Sequence, residues 1–287
     1  VLDIYIPYYK IIIEYDGWYF HSDKNAKIRE DKKNKILRDN GTMKAMLTSS
    51  LGGASKIAGR RVPSVLIEEN GLLARLKTIW PQNANVLIVC DDPSDYKKND
   101  SLYSCLTESF PMSGLPVSSI KLWDERSLNA VNDLTAFSVI VLTGGHVPTQ
   151  NRFFKTVRLK ERLSNYDGIV VAWSAGSMNC ADSVYAGPEL EGEAVDPRYE
   201  RWISGLGITN INIFPHYQAL KDDYLDGLRL IEDITFADSM GHEFIALNDG
   251  SYILIEGKHE TLYGEAYRIK NGKITQICKD NESIALK

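Results

Sequence analysis

The stretch GIVVAWSAGSMN, residues 168–179, decides the fold. An apolar run stops at Ser174, two small residues follow, and a segment of helical composition begins. A continuous apolar run without polar alternation fits a strand buried on both faces of a parallel sheet. Four other segments share this form: MKAMLTSS (43–50), NVLIVCDD (85–92), SSIKLWD (118–124) and FSVIVLTGG (137–145). Each ends at polar or turn-forming residues. Segments long enough for helices lie between them, at 65–80, 100–110 and 151–165. Short buried strands alternating with helices predict an α/β fold, a three-layer α/β/α arrangement around a mostly parallel sheet. Ligands in such sheets bind beyond the carboxyl ends of the strands. The segment ends LTGG and AWSAG fall there.

Working outward, EFIALNDGSYILIEG (243–257) and YRIKNGKITQI (267–277) read as antiparallel C-terminal hairpins at an edge of the sheet, with NDG and KNG as turns. Upstream, HSDKNAKIREDKKNKILRDN (21–40) is charged with little apolar periodicity and reads as a solvated helix or linker. The chain therefore divides into an N-terminal extension, 1–42, and an α/β domain, 43–287.

Composition narrows the function. The 287 residues are 44% hydrophobic and 25% charged, with a net charge of −5, so a nucleic-acid partner is not expected. No apolar run reaches the ~18 residues of a membrane span. The start lacks a basic n-region and a cleavage site, so no signal peptide is expected, while Val1 in place of Met suggests a start further upstream. Four scattered cysteines, Cys90, Cys105, Cys180 and Cys278, form no CxxC pair and fit a reducing cytoplasm rather than a disulfide framework. No cluster has metal-ligand spacing, and neither metal nor cofactor is expected.

Around Ser174 the pattern is small-x-Ser-x-Gly, with Ala172 and Gly176 as the small residues. A nucleophile elbow needs such residues because strand and helix approach closely at the turn. The Ala175 N–H, opening the helix, would then face an oxyanion. A serine N-cap would produce the same local pattern. A serine nucleophile also needs a base oriented by an acid. Of five histidines, His216 in INIFPHYQ projects from a strand end and is the best base, whereas His146 follows GG in a strand-end loop and could touch substrate. Glu189, Glu191, Glu193, Asp196 and Glu200, in YAGPELEGEAVDPRYER (185–201), are all candidate acids.

VVAWSAGSMN, the TGG strand end before it and FPHY after it resemble peptidase family S51, which contains peptidase E and the cyanophycinases and whose fold is similar to class I glutamine amidotransferases. The resemblance spans roughly residues 43–260. It implies a serine-type hydrolase of small peptides with Ser174 as nucleophile, His216 as base and Glu189, in AGPEL, as acid. It places the oxyanion hole at the N–H groups of Ala175 and Gly145. Substrate contacts are expected from Gly144, His146 and Gln150 of GGHVPTQN. In aspartyl dipeptidases of this type an arginine on the helix after the histidine holds the substrate's acidic side chain. Here that segment reads YLDGLRLIEDI (224–234), with Asp226 near the arginine's position and Arg229 three residues on. A strict preference for N-terminal aspartate is therefore not expected. The contrasting reading is a non-catalytic binding or sensing protein that keeps the fold. A homodimer stays open.

Overall fold

The computed structural model describes residues 43–57 and 60–286, together with the backbone of Ile4–Ile6 and Ile11–Ile13, which pair as antiparallel strands. The segment 21–40, read as a solvated helix or linker, lies outside the described residues, as does most of the extension 1–42.

Eight strands form the central sheet: β1 (Lys44–Thr48), β2 (Ala84–Val89), β3 (Val117–Trp123), β4 (Val139–Leu142), β5 (Ile169–Trp173) and, after two strands of another sheet, β8 (Tyr252–Glu256), β9 (His259–Tyr263) and β12 (Ser283–Ala285). Those two strands are β6 (Asn212–Phe214) and β7 (Glu243–Leu247), which join β10 (Ala266–Lys270) and β11 (Lys273–Cys278). The central order is β12-β9-β8-β1-β5-β4-β2-β3, with β1 to β5 mutually parallel and β8, β9 and β12 each pairing antiparallel with its neighbours. The second sheet runs β6-β7-β10-β11.

Strand side chains alternate between faces, and here both faces are apolar. Ala45, Leu47, Leu87, Val89, Ile140, Leu142, Val170 and Ala172 pack toward Phe153, Phe154 and Leu159, on helices Val147–Thr156 and Leu159–Leu163. Their neighbours Met46, Val86, Ile88, Val139, Val141 and Val171 pack the other way, against Leu72, Leu76, Leu102 and Phe110 of helices Leu72–Ile79 and Tyr96–Met112. This is the α/β/α sandwich that the continuous apolar runs imply. The segment 65–80 is only partly helical, because Arg60–Leu66 forms a hairpin strand with Gly52–Ile57.

One expected hairpin is not formed. KNG does turn β10 into β11, with Asn271 at φ 50° and Gly272 at φ 69°. NDG (248–250) instead carries the chain from β7 in the second sheet to β8 in the central one. Both flanking strands are buried over four consecutive residues, so each sits inside a sheet with neighbours on both sides. β7 already lies between β6 and β10, and β8 between β1 and β9, so neither has an edge free to pair with the other. NDG thus becomes a crossover at the strand ends, where ligands bind.

Among the described residues no helix is long and apolar enough to cross a membrane. The four cysteines are free and buried.

Candidate active site

The site gathers at the carboxyl ends of β1, β5 and β6. β5 ends at Trp173, and Ser174 turns the chain with φ 50° and ψ −123° into a helix at Ala175–Met178. Non-glycine residues rarely hold positive φ, and where they do the surroundings must enforce it. Here the Ser174 N–H donates to the carbonyls of Thr48 and Ser49, each at 3.1 Å, at the end of β1. Small residues are required on both sides. A Cβ on Gly176 would fall 2.4 Å from the Leu142 carbonyl oxygen, and one on Gly144 would fall 3.0 Å from the Ser174 Cβ. The Gly144–Gly145 loop is therefore pressed against the serine. Gly145 itself lies against the buried Asp91 carboxylate, which pairs with Lys98.

His216 follows β6 and Pro215 and also has positive φ, 57°. Its backbone N–H donates to Ser49 Oγ at 2.7 Å. Its ring nitrogen Nδ1 lies 2.8 Å from Asp249 Oδ1. Asp249 belongs to the NDG crossover. It accepts from the Ser49 hydroxyl at 2.8 Å, and its own N–H donates to Gln218 Oε1 at 3.0 Å. Burial works to raise the Asp249 pKa, but hydrogen bonds and charge from His216, with Ser49 and Gln218, outweigh it and hold the carboxyl below its ordinary value.

Ser174, His216 and Glu189 line one cavity of about 330 Å³. The carboxylate that meets the His216 ring is Asp249, not Glu189, the acid that the resemblance implies. Glu189 is exposed on the cavity wall with its N–H tied, like that of Leu190, to Glu193 Oε2 at 2.9 Å. Its pKa is pushed up to about 7, first by desolvation and further by the Glu193 charge, against a backbone hydrogen bond from Val147 and the charge of His216. Of the rival acids, Glu193 also reaches His146 Nε2 at 3.2 Å, while Asp196 pairs with Arg198.

The other expected contacts divide. His146 stands at the N-cap position of the helix Val147–Thr156, with its Nδ1 2.9 Å from Thr149 Oγ1 and its Nε2 beside Glu193, and it is not among the cavity-lining residues. Gln150 is fully buried. It donates to the Thr143 carbonyl at 2.6 Å and accepts from Asn179 at 3.1 Å, bracing the glycine loop against the segment after Ser174 rather than meeting a ligand. The segment 224–234 is not a helix. Tyr224–Leu225 and Leu228–Arg229 form a short hairpin turned by Asp226 and Gly227, at φ 52° and 79°, before a helical turn at Leu230–Thr235. Asp-Gly between short strands is a turn signal, and it forms a hairpin where the resemblance implies a helix. Asp226 accepts from the N–H groups of Gly192 and Ala194 and so ties the 187–201 loop to this hairpin. Arg229 pairs with Asp233 at 2.6 Å and is not among the cavity-lining residues.

The cavity wall adds apolar Met178, Phe214 and Leu230 and, at its rim, Asp223, but no lysine or arginine. Cys180, near the serine in sequence, is completely buried and burial pushes its thiol pKa up, so it supplies no thiolate. Among the described residues no three His, Cys, Asp or Glu side chains stand close enough to hold a metal ion.

The family model for peptidase family S51 matches residues 82–263, well over half the chain. The chain belongs to peptidase family S51. Two solved structures share the fold of this S51 member. One is a peptidase from an acI-B1 Actinobacterium, with 14% identity, TM-score 0.56, and coverage of 85% of this chain and 96% of that one. The other is a putative peptidase E protein from Listeria monocytogenes EGD-e, with 11% identity, TM-score 0.51, and coverage of 82% and 98%. No curated protein matches the chain. Family and fold together support a peptidase.

Proposed function

We propose that this S51 member is a serine-type peptidase acting on small peptides, with Ser174 as nucleophile, His216 as general base and Asp249 as the orienting acid. The observation that carries the reading is the 2.8 Å bond from His216 Nδ1 to Asp249, made by a histidine that shares a cavity with a serine held at positive φ. Because a carboxylate only accepts, Nδ1 bears the proton and Nε2 is left with a lone pair to take the Ser174 proton. The serine turn is a nucleophile elbow in form.

In the reaction, Ser174 Oγ attacks the amide carbonyl as its proton passes to His216. The oxyanion that forms is received by the N–H groups of Ala175 and Gly145. The C–N bond then breaks as the imidazolium protonates the leaving amine. Water, deprotonated by His216, hydrolyses the acyl-enzyme and returns the serine. Asp249 holds the imidazole tautomer and stabilises the imidazolium.

The cavity's charge supports a substrate class. A buried or bound acidic side chain needs a cationic partner, preferably a guanidinium. Glu189 and Asp223 line this cavity and no lysine or arginine does. A neutral or basic peptide suits it better than an aspartyl one, and a volume of about 330 Å³ suits a small one.

The deciding experiment is labelling with a fluorophosphonate probe. Covalent labelling that Ser174→Ala abolishes supports the serine mechanism. An unlabelled wild-type chain overturns it in favour of a non-catalytic binding protein of the same fold.

A further inference from the structure

We infer that Ser49 is a positioning residue that sets nucleophile, base and orienting acid in register; this rests on the serine-peptidase reading. Three independent bonds meet at this one residue at the end of β1. Its carbonyl oxygen accepts the Ser174 N–H at 3.1 Å, shared with Thr48. Its hydroxyl oxygen accepts the His216 backbone N–H at 2.7 Å. Its hydroxyl proton goes to Asp249 Oδ1 at 2.8 Å. No other residue described at the site touches all three.

The direction of each bond is fixed by chemistry. A backbone N–H can only donate and a carboxylate can only accept, so the single hydroxyl proton of Ser49 is committed to Asp249. The hydroxyl oxygen also stands 3.5 Å from His216 Nδ1. Having no second proton, it offers that nitrogen only a lone pair. Ser49 and Asp249 therefore both favour the proton on Nδ1, which leaves Nε2 as the base. Ser49 is fully buried, so water has no access to replace its hydroxyl. The bond to the His216 N–H has a second effect. His216 sits in the left-handed region that side chains other than glycine avoid, and Ser49 Oγ anchors its backbone there. Alanine at this position would release the histidine backbone and one carboxylate contact together.

The test uses the full chain, a fluorophosphonate probe, and the Ser49→Ala and Ser49→Cys variants. Cysteine keeps the volume but is only a weak hydrogen-bond donor. The labelling rate constant of both variants is expected to fall on the order of 10- to 100-fold, the scale of a misplacement of about 1 Å at a reacting group. The acid limb of the rate–pH profile is expected to move to higher pH, because an Asp249 that has lost the Ser49 proton stabilises the imidazolium more strongly. Wild-type rate and an unmoved profile in Ser49→Ala overturn the proposal. So does full recovery in Ser49→Cys, which would show that the side chain only fills space. If Ser49→Ala fails to fold, the volume-matched Ser49→Cys decides alone: folded and slow supports the role, folded and fast overturns it. A wild-type chain that does not label removes the serine mechanism and this role with it, whereas a labelled wild type with unaffected variants removes this role alone.

Discussion

His216 Nδ1 and Asp249 Oδ1 meet at 2.8 Å across the junction between the two sheets. The histidine ends a strand of the second sheet, and the aspartate lies where the chain leaves that sheet for the central one. The pair exists only because β6 and β7 are parallel neighbours, which brings their carboxyl ends side by side. Among the described residues no other charged group stands at hydrogen-bond distance from the imidazole.

Replacing the orienting acid should therefore separate the two candidate acids. Asp249→Asn is expected to lower turnover by roughly 10²–10⁴-fold, since an amide can hold the imidazole in the wrong tautomer. Glu189→Gln is expected to stay within a factor of a few. Turnover of both variants against one peptide amide checks this. A severe Glu189→Gln effect beside a silent Asp249→Asn would restore Glu189 as the acid.

For the nucleophile, Ser174→Ala is expected to fold normally and to lose activity by a factor on the order of 10⁴–10⁶. The alanine removes the hydroxyl but not the two backbone bonds that hold the turn. A melting temperature near that of the wild type is the control. More than a tenth of wild-type turnover in the variant would end the serine mechanism.

What could be read in advance follows the range of each interaction. The parallel strands were legible because burial on both faces writes a continuous apolar run, and Ser174 because a strand–turn–helix junction needs small residues within a short span. His216 stood out as a histidine at a strand end. Asp249 was hidden for a physical reason: NDG has the composition of a hairpin turn, and only the partition of β7 and β8 into different sheets makes it a crossover. Ser49 had no signal either, as its role comes from long-range bonds to positions 174, 216 and 249. Gln150 and Arg229 carried polar groups that suit a ligand, yet each is engaged by the protein itself. The DG in 224–234 is a legible turn signal, and it prevails over the helix that the resemblance implies there.

Glu189 also makes a pH-dependent prediction. Desolvation and the Glu193 charge push its carboxyl up to about 7 from the ordinary 4.5. In that window the native chain holds a proton that the unfolded chain has released, so stability falls as pH rises from the lower value through the higher. The residue as a whole is open to solvent although its carboxyl is desolvated, so the effect stays small. Glu189→Gln removes the titration. The melting temperature of the variant minus that of the wild type is expected to increase from about pH 5 to about pH 8. A constant difference, or one that shrinks, would show that the carboxyl ionises at its ordinary pKa.

The last prediction concerns specificity. If substrate binds in the cavity beside Ser174, its side chain or amine meets Glu189 and Asp223 and no cation. Dipeptides and aminoacyl amides that begin with arginine, lysine or leucine are therefore expected to be cleaved faster than those that begin with aspartate. Asp223 stands at the exposed rim, so its contribution is modest. Asp223→Asn is expected to reduce the advantage of arginine over leucine by about two- to fivefold, the scale of a solvent-exposed ion pair. Arg229→Ala is expected to change no ratio in the panel, because Arg229 is held by Asp233 through three hydrogen bonds and does not line the cavity. Measuring kcat/KM across the panel for the wild type and both variants checks all three statements. A clear preference for N-terminal aspartate that disappears in Arg229→Ala would mean that Arg229 leaves Asp233 for the substrate, and the charge argument would fail.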